Sequence, residues 1–346
     1  MTGREHFLAI AERKSTRPGF WHGVPHDDTT AKVYSYFGVK DDFELGLKLG
    51  SVCRVVSPEK YDMWKVQGRA GGQGTQPYFD FLGDAEQVSL GQEGVFAECE
   101  DLEEIHEYPW PDAKNCDFTK TITEIDRTVS AGQAVLSGLW ATFFRTAYCY
   151  FGMENCFIKM HTHPEMVEAV LDHVVDFYLA ANERLFTEAS GKIDAMFFGN
   201  DLGTQLDLFI SPAHFNRFVL PYIERLTSQA HDHGLKVVLH SCGSIYRVIP
   251  RIIEAGVDML HPLQAKAANM DADYLAKNYR GKIAFLGGVD TQQILPFGTS
   301  DEVRKEVRRL KNTFGNDYIV SQSHETLLSC VPVENYAAMA DEALKD

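Results

Sequence analysis

The chain has 346 residues, with 33 Lys+Arg against 49 Asp+Glu and a formal net charge of −16. A surface so acidic repels phosphate backbones and anionic headgroups, which excludes a nucleic-acid binder and a protein that docks on lipid through a basic face. With 45% hydrophobic residues it can bury a large core, and its length admits two domains or one α/β barrel.

The opening MTGREHFLAIAERKSTRP reads as a short amphipathic helix, because Arg4, Glu5, Glu12, Arg13 and Lys14 break any signal-peptide core. GFWHG (19–23), VCRVVSP (52–58) and QAVLSGLW (133–140) are apolar runs of strand length. Between the last two, residues 61–126 hold the Gly-rich GRAGGQGTQPYFDFLGD and the acidic Glu98, Glu100, Asp101, Glu103 and Glu104. This segment reads as an insertion of short strands and loops, not a separate domain.

From residue 195 a rhythm sets in. AMFFGND (195–201) precedes a helical stretch from Pro212 to His233, and KVVLHSCG (236–243) precedes one over 245–256. DMLHPLQ (258–264), IAFLGGVD (283–290) and YIVSQSHE (318–325) are each followed by a helical pattern in turn. The strands are continuously apolar, as expected when helices cover both faces of a parallel sheet. The helices run up to glycines such as Gly234 and Gly315, which favour a left-handed cap. Five units and three earlier runs make the strand count of a (β/α)8 TIM barrel, a single domain over 1–346.

The longest candidate for a membrane span, GLWATFF at 138–144, stops at Arg145, so no spanning helix is expected. Seven cysteines (53, 99, 116, 149, 156, 242 and 330) are odd in number and scattered, which suits a reducing compartment and a cytoplasmic protein.

Working groups of such a barrel sit where strands end. Polar residues gather there: His22, Asp201, His240 with Cys242, His261 with Gln264, Asp290, and His324 with Glu325. His240 and Cys242 are two apart on one strand, so both point to one side. An imidazole and a thiol are ligands that zinc prefers, and three protein ligands leave a position open for substrate. The alternative is a buried thiol packed as a small hydrophobe beside a hydrogen-bonded histidine. His324 is a candidate third ligand, a general acid/base or a strand-end cap, and Cys330 is a further candidate sulfur. Asp201 and Gln205, in NDLGTQ, are placed to orient substrate or a metal ligand, with helix capping the other reading of Asp201 and of Asp290. HTHP (161–164) reads as a turn before a helix.

NDLGTQ, SPAHFNRFVLPYIERL, HDHGLKVVLHSCG, EAGVDMLHPLQ, FLGGVDTQQILPFGT and VPVENYAAM together resemble the uroporphyrinogen decarboxylase superfamily, over about residues 195–345. The resemblance implies the same (β/α)8 barrel and one of two chemistries. One is cofactor-free decarboxylation of a tetrapyrrole; the other is zinc-dependent methyl transfer to or from a corrinoid on a partner protein. The decarboxylases carry an arginine pair near the N-terminus, where this chain reads RPGFWHGVPHDD, with Asp27 and Asp28 facing any polyanion. The methyltransferases match at His240 and Cys242, with a late ligand that falls here on His324 or Glu325.

The expectation is therefore a zinc-dependent methyltransferase acting between a corrinoid-carrying protein and a small thiol or methoxylated or methylated substrate. His240, Cys242 and His324 would hold zinc, Glu325 and Asp201 would be catalytic, and Gln205, His22, His261, Gln264 and Asp290 would bind substrate. The alternatives are a decarboxylase and a non-catalytic corrinoid or tetrapyrrole binder. A homodimer is expected from the resemblance.

Overall fold

The computed structural model of the chain describes residues 1–61, 63–64, 78–80 and 92–345. Eight parallel strands form one curled sheet: β1 (Gly19–Phe20), β2 (Cys53–Val56), β3 (Ala134–Ser137), β4 (Ala195–Gly199), β5 (Lys236–His240), β6 (Met259–His261), β7 (Ala284–Val289) and β8 (Tyr318–Gln322). Neighbours in sequence are neighbours in space from β2 to β8, and β8 pairs with β1. Between β1 and β2 the ring is closed by the Val52 N–H, which donates to the Phe20 carbonyl at 2.9 Å. This is a (β/α)8 TIM-barrel fold, with all eight runs read from the sequence in place.

Side chains alternate along each strand, and the two sides go to different cores. Val237 and Leu239 of β5 join the shell packed under the helices, while Val238 faces the barrel interior with Leu136, Phe197, Met259 and Leu286. Keeping step, His240 also faces inward. Helix Gly3–Ala11 seats Phe7, Ile10 and Ala11 in the same interior cluster and covers the end where the strands begin. Its start is a capping box between Thr2 and Glu5.

Local chemistry corrects one element. The stretch 212–233 is two helices, Pro212–Phe218 and Leu220–Asp232, broken at Val219. Pro221 has no N–H to donate to the carbonyl four residues back and crowds the preceding turn. Gly234 ends the second helix at φ 72°, a left-handed conformation cheap only for glycine.

The insertion expected over 61–126 falls partly outside the described residues. Its described remainder includes a helical turn at Leu102–His106 and an isolated bridge between Trp64 and Cys116. Residues 119–126 begin the helix Thr119–Ser130, which packs on β2 and β3 as one of the barrel's outer helices. Among the described residues no helix is long and apolar enough to cross a membrane.

Candidate functional site

At the end where the strands stop, a cavity of about 640 Å³ is lined by Trp21, Trp140, Phe197, Glu59, Asp201 and Glu325 among others. A second cavity, of about 600 Å³, lies at the far end around Gly3, Gln133 and Asn316, remote from these groups.

Three elements bring a ligand group together at the mouth. β5 delivers His240 inward, and the loop just beyond it carries Cys242, whose sulfur lies 3.4 Å from His240 Nε2. The loop after β4 carries Asp201, whose Oδ1 accepts from the Cys242 N–H at 2.9 Å and lies 3.3 Å from His240 Nε2. One ligating atom from each of Asp201, His240 and Cys242 falls within 4.8 Å of the others, and among the described residues no other group of three such donors does so. Asp201 caps no helix, because the next one begins at Pro212 with Ser211 as its cap.

The two faces of His240 have different company. Nε2 faces Asp201 and Cys242, while Nδ1 lies 3.5 Å from Glu325 Oε2 and 3.0 Å from His261 Nδ1. His261 is the register partner of His240 on β6 and is fully buried. Burial opposes charge on His240, but Glu325, Cys242 and Asp201 outweigh it and hold the imidazole well above its ordinary pKa. Burial, with His240 beside it, pushes His261 well below the ordinary value. The two Nδ1 atoms share one hydrogen bond, and His261 Nε2 is a buried atom with no hydrogen-bond partner among the described residues. Asp201 is over half exposed; partial desolvation opposes its charge, and the hydrogen bond to His240 brings its pKa down to about 2. Burial raises the Cys242 thiol.

A nitrogen, a sulfur and a carboxylate oxygen form a donor set that suits zinc. The outer contacts fit as well. A metal-binding histidine commonly donates its second ring N–H to a carboxylate, and Glu325 stands there with Oε2 buried and lacking a hydrogen-bond partner.

The other expected residues are placed apart from this group. His324 is over a third exposed; its Nδ1 accepts from the Thr326 N–H at 3.1 Å and lies 3.5 Å from Glu325 Oε2, so it caps a turn behind Glu325. Cys330 is exposed and outside the group. His22 is buried and bonded at both ring nitrogens, to Ser51 at 2.8 Å and Asp42 at 3.0 Å, which ties β1 to a helix. Gln264 accepts from the Gly243 N–H and braces the Cys242 loop. Asp290 caps the turn at Gln292, Gln293 and Ile294. Gln205 has an exposed side chain and uses its carbonyl to hold Ala268 N–H at 2.9 Å.

Sequence reasoning missed Glu59 and Trp140. Both stand just beyond strand ends, Glu59 after β2 and Trp140 after β3, so the rule that found His240 applied to them as well. Glu59 accepts from the Trp140 N–H at 2.8 Å, and burial raises its pKa. Trp140 reaches over the mouth because β4 ends in glycine: a Cβ on Gly199 would lie 2.6 Å from Trp140 Cζ2.

Comparison with known proteins adds a lineage. Residues 90–345 match the family described as Uroporphyrinogen decarboxylase (URO-D). A methylated-thiol–coenzyme M methyltransferase of Methanosarcina mazei is 25% identical over 157 residues, 45% of this chain and 39% of that protein. A uroporphyrinogen decarboxylase of Syntrophotalea carbinolica is 27% identical over 187 residues, 53% of this chain and 49% of that one. The chain thus matches half or less of the length of these curated relatives. The solved structure of a methyltransferase from Methanosarcina mazei has the same fold, with a TM-score of 0.68 at 16% identity, over 99% of this chain and 98% of that one.

Proposed function

Since the chain belongs to the uroporphyrinogen decarboxylase family, we propose that it is a zinc-dependent methyltransferase of that family. It would move a methyl group between a corrinoid on a partner protein and a small thiol or methylated substrate. The observation that carries this reading is the convergence of His240 and Cys242 on Asp201, which lines the cavity. Asp201 Oδ1, His240 Nε2 and Cys242 Sγ would hold zinc, with Asp201 in place of His324 as third ligand.

When bound, zinc supplies Lewis acidity that turns a thiol into a thiolate or polarises a methyl donor. The chain's own residues do the rest. Glu325 and His261 fix the His240 ring so that Nε2 faces the ligand group. Cys242, whose thiol pKa burial raises, would hold the metal as thiolate. Trp140 and Phe197 keep the cavity wall apolar beside the ligands.

Charge supports methyl transfer over decarboxylation of a polyanion. The cavity is lined by Asp27, Glu59, Asp201 and Glu325, against Lys60 and Arg145 as permanent cations. The partner would dock over the mouth, where Leu206, on the loop after β4, and Phe297, at the end of the short helix Ile294–Phe297 after β7, are both 79% exposed. A cytoplasmic location and a homodimer complete the proposal.

Metal analysis of the purified chain tests it, with about one zinc per chain expected. Anaerobic incubation with methylcobalamin and a panel of small thiols should then demethylate the corrinoid, followed by its absorbance. A fully active metal-free protein would overturn the zinc role, and a zinc-loaded protein inert toward every thiol and methylated donor would overturn the activity.

A further inference from the structure

The walls of the mouth cavity carry information that the ligand group does not. Three aromatic rings meet there almost at right angles. The Trp21 indole stands at 87° to the Phe197 ring with centroids 6.2 Å apart, and the Trp140 indole at 81° and 5.0 Å. All three line the cavity, and Trp140 continues to His240, with ring centroids 5.2 Å apart. Aromatic rings that line a cavity supply π-density that attracts an organic cation, and Trp140, the least buried of the three, offers the most surface for it.

The charges around this corner agree with it. Glu59 takes its hydrogen bonds from neutral donors: the Trp140 N–H at 2.8 Å, the Tyr78 hydroxyl at 3.2 Å and the Ser57 hydroxyl at 2.5 Å. Glu325 Oε2 is buried without a hydrogen bond. A desolvated carboxylate held by neutral donors, as Glu59 is among the described residues, is costly, and a bound cation relieves that cost; Glu325 already has His240 Nδ1 3.5 Å from Oε2. An uncharged aryl ether would use the rings and leave the carboxylates as they were. The rings also serve packing, since Trp21 and Phe197 cap the interior cluster of the barrel. Trp140 is only half-buried, and it is the wall nearest the ligands.

We infer that this cavity takes a substrate bearing an alkylated onium group, a quaternary ammonium or a sulfonium, seated against Trp21, Trp140 and Phe197 with Glu59 and Glu325 as counter-charge. The inference rests on the methyl-transfer reading for its chemistry, not for the binding itself. In that reaction the onium is the methyl donor. The electron pair of a reduced corrinoid forms the new bond to the methyl carbon as the C–N or C–S bond breaks. That bond's pair stays on the heteroatom, which leaves as a neutral amine or thioether and needs no proton.

The test is a tryptophan-fluorescence and calorimetric titration of the full chain with choline and with 3,3-dimethylbutanol, its uncharged isostere. Choline should bind at least about tenfold more tightly, the scale of a desolvated cation–π contact. Trp140→Leu should weaken choline about tenfold, Trp140→Phe should keep most of the affinity, and Glu59→Gln should narrow the gap between choline and the isostere. Thermal melting of each variant shows whether it is folded. Equal binding of the two compounds, no binding of choline, or a folded Trp140→Leu protein with unchanged affinity would overturn the inference. Choline bound by a protein that transfers no methyl group sinks the reaction and leaves the onium site standing. Methyl transfer from a thioether or aryl ether by a protein that ignores choline does the reverse.

Discussion

The two ends of the barrel share the same eight strands and are built on opposite principles. Where the strands begin, Phe7, Ile10 and Ala11 of the first helix cover the inward side chains Val52, Cys53 and Ala134 with apolar contacts. Where they stop, the inward positions become Gly199, His240 and His261, beside the cavity at the mouth. A closed end must be apolar, because a buried polar group without a partner costs free energy. An open end can carry imidazoles, a thiol and carboxylates, because they satisfy one another or take up a ligand. On the proposed function, chemistry belongs to one end and stability to the other, and substitutions should separate them.

The largest effect is expected at the mouth. Cys242→Ala and Asp201→Ala should each abolish stoichiometric zinc, read by metal analysis, while leaving the melting profile of the metal-free chain nearly unchanged. His324→Ala should retain the metal; its loss there would return the third ligand to His324. At the plugged end the pattern inverts. Phe7 is fully buried, so Phe7→Ala should cost about 3–5 kcal/mol in denaturant unfolding with zinc per folded chain unaltered. Glu325→Gln keeps the shape and removes the charge behind His240 Nδ1, and should weaken zinc about 10–100-fold in a competition titration.

The smallest effect concerns His6, under the plug. Burial holds its pKa below the ordinary 6.5, so the unfolded chain binds the extra proton first as pH falls. Its stabilising contribution is present above 6.5 and lost as pH falls below that value toward the folded pKa. His6→Gln should flatten this part of the stability–pH curve, and an unchanged curve would remove His6 as its source.

Legibility in the sequence followed the same division. The continuous apolar strands from Ala195 onward announced the barrel, because a strand buried on both faces must be apolar at every position. His240 and Cys242 were readable as neighbours at a strand end, but the strand stops at His240, and the loop path, not strand alternation, brings the Cys242 sulfur to its ring. Asp201 was visible at a strand end, yet nothing local tells a ligand from a helix cap; the loop that carries it toward Cys242 decides that. His22, Gln264 and Asp290 carry the same strand-end signature, and each is hydrogen-bonded within its own surroundings, apart from the ligand group. The kink at Val219 was written in Pro221 and overlooked in favour of an unbroken apolar pattern.

Side-chain alternation and apolar periodicity, both local properties, were enough to determine the fold class, the order of the strands and the end at which chemistry could sit. Which strand-end groups meet was settled only in three dimensions. The distance between Asp201 and His240, the carboxylate behind His240 Nδ1 and the corner made by Trp21, Trp140 and Phe197 all join residues from different strands. Barrel closure and loop path set those distances, and no single stretch of sequence contains either.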